Sequence, residues 1–157
     1  MHPKDAPTAT PEQCLRDILD VVTCLRNGHF TGRLRPEMPG DAGEIAKVLN
    51  EHLDLLEAFR SEHLRLMEEI GVTGRLGGQA ALPDCTGAWR EMADATNRLG
   101  VNMTCQVRDS GNVLREHLNG NTSARMTAKY IAGEFREVRE NLNELLDRVA
   151  ADKPAAT

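Results

Sequence analysis

The chain has 157 residues, 40% of them hydrophobic but only 3% aromatic, and a formal charge of −5. So few rings leave the core to Leu, Val, Ile, Met and Ala, the composition of helix bundles and coiled coils, and argue against a purely β architecture. Acidic and basic residues are interspersed and no basic patch stands among aromatic residues, which speaks against nucleic acid as a partner.

No run approaches the roughly 20 apolar residues that a membrane-spanning helix needs, and the N-terminal MHPKDAPTATPEQ lacks the apolar segment of a signal peptide. A cytoplasmic protein without membrane insertion is expected. Cys14, Cys24, Cys85 and Cys105 are scattered, with no Cys-x-x-Cys pair. They are therefore read as small packed side chains and not as a metal or redox centre.

In chain order, residues 1–10 carry two prolines and two threonines and are expected to be disordered, as is the tail 151–157. Leu15, Ile18, Val22 and Leu25 recur at helical spacing and form a first apolar seam. A second seam, Ile45, Leu49, His52, Leu56 and Phe59, runs on through His63, Met67 and Ile70, so Glu44 to Ile70 reads as one long helix.

The third seam is Met92, Thr96, Leu99, Met103 and Val107, leading toward Leu114 and Leu118. Its steps from Leu99 to Met103 to Val107 are both four residues, a stutter that locally unwinds a coiled coil and changes the seam in mid-helix. The fourth seam is Phe135, Val138, Leu142, Leu145 and Val149.

Three glycine-containing breaks, Gly28 to Gly43, Gly71 to Gly87 and Gly120 to Gly133, separate the seams and superimpose as an internal repeat. Thr31-Gly32-Arg33-Leu34 matches Thr73-Gly74-Arg75-Leu76 and Ser123-Ala124-Arg125-Met126, and each downstream helix carries an asparagine, Asn50, Asn97 and Asn143. The repeating unit is helix, connector, helix, with units expected over residues 11–57, 58–104 and 105–150. A narrow apolar stripe cannot bury itself, and two parallel helices joined by a long connector close a four-helix bundle most simply with a second copy. A parallel homodimer follows.

This pattern resembles the HAMP domains of bacterial histidine kinases and chemoreceptors, over about residues 11–150. Asp41-Ala42-Gly43-Glu44-Ile45 followed by Asn50 is similar to the opening of a HAMP second helix. The middle unit, GRLGGQAALPDCTGAWREMADATNRLGVNMTCQVRD, resembles more specifically the repeated units of soluble poly-HAMP hybrid kinases, through Gly87-Ala88-Trp89-Arg90 and Asn102-Met103-Thr104-Cys105-Gln106-Val107-Arg108.

The resemblance implies an all-α fold of consecutive parallel four-helix coiled-coil bundles, formed by a homodimer and joined by continuous helices. It implies that each connector lays two apolar side chains into the groove between its helices: Phe30 and Leu34, Val72 and Leu76, and Met126 beside the polar Thr122. Gly28, Gly71, Gly74 and Gly120 would serve the connector bends by admitting positive φ, and Gly43, Gly87 and Gly133 the helix starts, with Trp89 covering a bundle end. Gly77 and Gly78 are less fully accounted for.

Neither a phosphoacceptor helix nor a nucleotide-binding sequence is present: Glu62-His63-Leu64-Arg65-Leu66-Met67 has no proline. His117 invites comparison with a phosphotransfer histidine, but His117-Leu118-Asn119-Gly120 lacks the family's Lys-Gly pair. His52 and His63 read as packed seam side chains that fix register, with a metal or pH role as the alternative. No nucleophile stands with a base, so no catalytic residue, cofactor or metal is assigned. The expected function is a non-enzymatic relay of helix rotation or register in a two-component or chemosensory pathway. Alternatives are an adaptor that joins a histidine kinase or chemoreceptor in mixed bundles, and a structural dimerisation module.

Overall fold

The computed structural model describes residues 9–82, 85–129 and 131–151. The expected disordered segments 1–10 and 151–157 lie outside these residues except for Ala9, Thr10 and Ala151. The regular secondary structure of the described residues is entirely helical, without strands. None of the described helices is long and apolar enough to cross a membrane.

Helix α1 spans Pro11–Arg26. Thr10 starts it with a capping box: the Gln13 N–H donates to Thr10 Oγ1 at 3.3 Å, and the Thr10 N–H to Gln13 Oε1 at 2.9 Å. Pro11 sits in the first turn, where its missing N–H costs no helical bond. The helix stops at Gly28, whose φ of +82° lets the His29 N–H reach back to the Cys24 carbonyl at 2.9 Å.

Helix α2 spans Asp41–Met67 and passes directly into a π-helical segment, Glu68–Val72. The single helix expected from Glu44 thus begins three residues earlier, behind Gly40 at φ +57°, and loses α-helical bonding before Ile70. Asp41 and Glu44 in its first turn favour that start through the helix dipole. Helix α3 runs unbroken over the 32 residues Gly87–Leu118, and α4 over Glu134–Ala151.

The chain divides into two compact units. The first takes in the described residues through Arg65 together with those of Ala81–Thr86; the second takes in Leu66–Ala80 and the chain from Gly87. The divisions fall inside the expected middle repeat. In the first unit Cys14, Leu34, Met38 and Ala46 form a buried cluster with Ile18, Val21 and Leu49 packed against it. In the second, Val113, Met126 and Leu146 are buried together with Ala124 and Leu142 against them.

Each unit keeps a second apolar face in the open. In the first unit Leu15 is 67% and Val48 62% exposed, and Ile18, Val22, Ile45, Leu49 and His52 line an open groove with Val48. In the second, Met92, Leu99, Met103, Val107 and Leu114 are exposed along α3, and Phe135, Val138, Leu145 and Val149 along α4. At 3.6 residues per turn the α3 stripe stays within a sector of about 100°.

The flanks of that stripe are buried in an ordered way. Ala93, Gly100 and Thr104, each one residue after a stripe position, are buried in the first part of α3; Gln106 and Val113, each one residue before one, are buried in the second part. The covered flank changes side across Met103–Val107, where the stutter falls.

Gly43 and Gly111 are both helical glycines, but a methyl group at Gly43 would collide with the Met38 carbonyl oxygen, whereas one at Gly111 meets nothing within 4 Å. Gly43→Ala should therefore destabilise by about 1–3 kcal/mol through overpacking. Gly111→Ala should stabilise by about 0.5–1 kcal/mol through helix propensity. Urea unfolding of the two variants beside the parent checks both signs.

Candidate functional site

The repeated feature of this chain is a set of connectors tied to helices. Asn50 of α2 accepts from the Leu34 N–H through Oδ1 at 2.9 Å and donates through Nδ2 to the Leu34 carbonyl at 2.9 Å. Asn97 of α3 makes the same pair with Ala80, at 2.7 and 3.2 Å, and Asn143 of α4 with Met126, at 2.8 and 3.1 Å. A carboxamide presents one acceptor and two donors side by side, so it can satisfy both backbone groups of one residue as a neighbouring strand would.

These pairs fix the register of the repeat. Leu34, Ala80 and Met126 are 46 residues apart, so Ala80, four residues beyond Leu76, holds the place in the middle connector that Leu34 and Met126 hold in the others. The GRL match between Arg33-Leu34 and Arg75-Leu76 is out of phase with the backbone. Leu34 and Met126 are buried at 3% and 4% exposure, and Ala80 at 7%. Phe30 and Leu76 are half-buried. Val72 ends the π-helical segment and is 73% exposed.

Two glycine sets recur with the repeat, the first at the same 46-residue intervals and the second at 47 and 46. Gly28, Gly74 and Gly120, at 46-residue intervals, have φ of +82°, +66° and +93° and end the preceding helices; Gly40, Gly87 and Gly133 all have φ of +57° and precede or open the following ones. L residues with a Cβ rarely adopt these angles. Gly71 is not among them: the π-helical segment carries the helix through it. Gly43 lies in the first turn of α2 and is required by the close Met38 carbonyl, not by its φ. Trp89 is half-buried in the first turn of α3.

A second tie joins each connector to an acidic residue on the preceding helix. Asp17 of α1 pairs with Arg35 at 2.7 Å; Glu62 of α2 accepts the Ala81 N–H at 2.9 Å; Asp109 of α3 accepts the Thr127 and Ala128 N–H groups, both at 2.7 Å. The residue just after the asparagine-bound one is held in all three cases.

The first and third connectors share a third device. Arg33 donates to the Phe30 and Gly32 carbonyls at 2.5 and 2.7 Å and pairs with Asp54 at 2.5 Å. Arg125 donates to the Thr122 and Ala124 carbonyls at 2.8 and 2.7 Å and pairs with Asp147 at 2.6 Å. Asp54 and Asp147 are 70% and 68% exposed, so the ion pairs themselves contribute under about 1 kcal/mol; the bonds to carbonyls order the connector. The middle repeat has Gln79 and Val101 at the corresponding places. There Arg108 reaches the Leu76 carbonyl at 2.8 Å.

His63 and His117 are locally engaged. His63 Nδ1 lies 3.0 Å from the Phe59 carbonyl and its ring is 3.9 Å from that of Phe59. His117 Nε2 lies 3.0 Å from the Ala124 carbonyl and 3.4 Å from Arg125 Nη1, which places His117 against the third connector. Thr104 Oγ1 and both amide atoms of Gln106 are buried without a hydrogen-bond partner among the described residues.

Asp54, Asp147, Asp17, Glu62, Asp109 and Ala80 escaped sequence reasoning. Asp54 and Asp147 each stand four residues after a repeat asparagine, a signal obscured by the mismatched GRL alignment. No protein-family model matches this chain, and no solved structure matches it.

Asn50→Ala or Asn143→Ala strands a backbone donor and acceptor in a half-buried groove, so each should cost about 1–3 kcal/mol. Asn→Asp, which keeps the acceptor but loses the donor, should fall between parent and alanine in the same urea titration.

The Glu62 carboxylate is drawn down from 4.5 to about 2 by the Arg65 guanidinium first and the Ala81 N–H second. A lowered folded-state pKa gives stability that is present above the unfolded value and lost as pH falls through the folded one. The parent should therefore lose this contribution between about pH 4.5 and 2. Glu62→Gln should be the less stable protein at pH 7 but nearly equal to the parent at pH 2, as read from urea midpoints.

Proposed function

We propose that this chain is a non-enzymatic signalling relay of the HAMP type, working as a parallel homodimer of stacked four-helix bundles in the cytoplasm. The observation that carries the reading is the pairing of two features: a connector clamp repeated at Asn50, Asn97 and Asn143, and exposed apolar faces on the helices that hold those clamps. The clamp holds a helix pair in parallel; the exposed faces are what such a pair leaves uncovered.

The energetic case is direct. Each large aliphatic side chain removed from water contributes about 1.5–3 kcal/mol, and Leu15, Val48, Leu99, Val107, Val138 and Leu145 are each more than half exposed in the single chain. A second copy offers the same stripe at the same height about a two-fold axis. In α3 the stripe stays open beside a buried flank along the helix, the flank changing side across Met103–Val107, and a second copy is what would cover the remaining open sector.

A relay needs two packings of similar energy, with the input contacting one of them better. Partners of the histidine-kinase or chemoreceptor class present helices of the same kind at either end, and no cofactor or catalytic residue enters the scheme.

Sedimentation equilibrium should give a dimer over a wide concentration range, and Leu99→Lys with Met103→Lys should give a monomer; a monomeric parent overturns the dimer. Coupling is tested separately, with the four native cysteines replaced by alanine. Closing a Leu15→Cys disulfide between two copies should change the cross-linking rate at Val138→Cys by several fold. An unchanged rate leaves a dimerisation module that relays nothing.

A further inference from the structure

We infer that the middle repeat contains a one-residue slip joint: the π-helical segment Glu68–Val72 stores a surplus residue that can pass into the adjoining connector at Gly77–Gly78. The surplus is visible by counting. Eleven positions separate the tied acid Asp17 from Gly28, and eleven separate Asp109 from Gly120, but twelve separate Glu62 from Gly74. A π-helical turn accommodates one extra residue in an otherwise α-helical run.

The glycine-ended helices show the same surplus in their closing bonds. His29 bonds back five residues to the Cys24 carbonyl and Asn121 five residues to Glu116, whereas Arg75 bonds back six residues to Glu69, at 2.6 Å. From those glycines to the clamped residue the count is again uniform, six in every repeat. The extra residue is therefore held in the π-helical segment and nowhere else in that stretch.

Three further observations make the segment able to release it. The second unit holds an apolar hollow of about 120 Å³ between Leu66, Ile70 and Gly71 on one side and Leu99, Gly100 and Met103 on the other. A methyl group at Gly100 would lie 3.3 Å from Ile70 Cδ1, a tight contact, and 3.6 Å from the Gly78 carbonyl oxygen, an ordinary one, so α3 passes close to the π turn at this point. The arginine–aspartate device that orders the outer connectors cannot form between Gln79 and Val101.

In the second state Glu68–Val72 rewinds as α-helix and the connector gains a seventh residue, which places Thr73 where the outer repeats have a left-handed glycine and makes this the minor state. The two adjacent glycines, of which Gly77 already stands at φ +98°, take up the slack. The outer repeats have Thr31-Gly32 and Ser123-Ala124 at this place. One residue of slip turns the helix end by about 100° relative to its connector, carrying Ile70 away from Gly100.

Only the use of such a joint in signalling rests on the relay reading; its existence is decided by amide exchange whether the chain is a dimer or a monomer. In the full chain, the Arg75 and Ala80 amides should exchange at least about tenfold faster than their counterparts at His29, Leu34, Asn121 and Met126. Equal or slower exchange in the middle repeat overturns the joint.

Deleting Gly71 removes the surplus, and should slow the Arg75 and Ala80 amides to the rates of the outer repeats. Unchanged exchange after the deletion overturns the joint, and so does unfolding of the second unit, because the extra residue would then be required by the packing. Gln79→Arg with Val101→Asp should also slow the Ala80 amide while leaving Leu34 and Met126 unaffected.

Discussion

The bond pair between a helix asparagine and one connector residue is the constraint on which the rest of this molecule depends. A connector without secondary structure has backbone donors and acceptors to satisfy, and one laid into a groove between helices cannot give them all to water. Asn50, Asn97 and Asn143 each supply a matched donor and acceptor at a buried connector residue. The residue just beyond is taken by an acid on the preceding helix. Two successive connector residues are thus tied to successive helices, and this sets the height of the connector.

The glycines follow from that constraint. A chain that leaves one helix, turns back and is pinned six residues later needs a left-handed residue at the turn, which Gly28, Gly74 and Gly120 supply, and another before the next helix, at Gly40, Gly87 and Gly133. Gly43 answers a different demand, the approach of the Met38 carbonyl to the first turn of α2. Two glycines near a helix start therefore serve separate purposes, one conformational and one steric.

Much of this was legible from residue order alone. Periodicity located the four helices, and the recurrence of glycine and asparagine marked the repeat. What the sequence hid was phase. The similarity of Arg33-Leu34 to Arg75-Leu76 is local, whereas register is set by a hydrogen bond across 17 positions, from Ala80 to Asn97, and such a bond leaves no periodic trace. The π-helical segment was hidden for the same reason: a surplus residue is seen only when two fixed points on either side are known, and Glu62 became one only through its bond to Ala81. Periodicity alone does not say what covers the exposed stripes, because a seam has the same spacing whether its partner is the same chain or another.

The fixed points also say where a mismatch between repeats has to be absorbed. On α2 the asparagine Asn50 and the acid Glu62 are twelve residues apart, and on α3 Asn97 and Asp109 are twelve apart as well. At 3.6 residues per turn this rotates the second tie by about 120° from the first on both helices. The phase between one connector's lower tie and the next connector's upper tie is therefore the same along the chain, and a surplus residue cannot be placed there without turning one tie away from its partner. Beyond Glu62 the only stretch before the next left-handed glycine is the helix end itself. A surplus there can be held as a π turn, at the expense of helical regularity, or passed on to the connector, at the expense of its fit. The α3 stutter is the counterpart solution within a helix: its covered flank changes side between Met103 and Val107 without an added residue. The same chain thus meets two phase problems, one by redistributing contact around a regular helix and one by altering the helix, and only the second leaves a residue that can move.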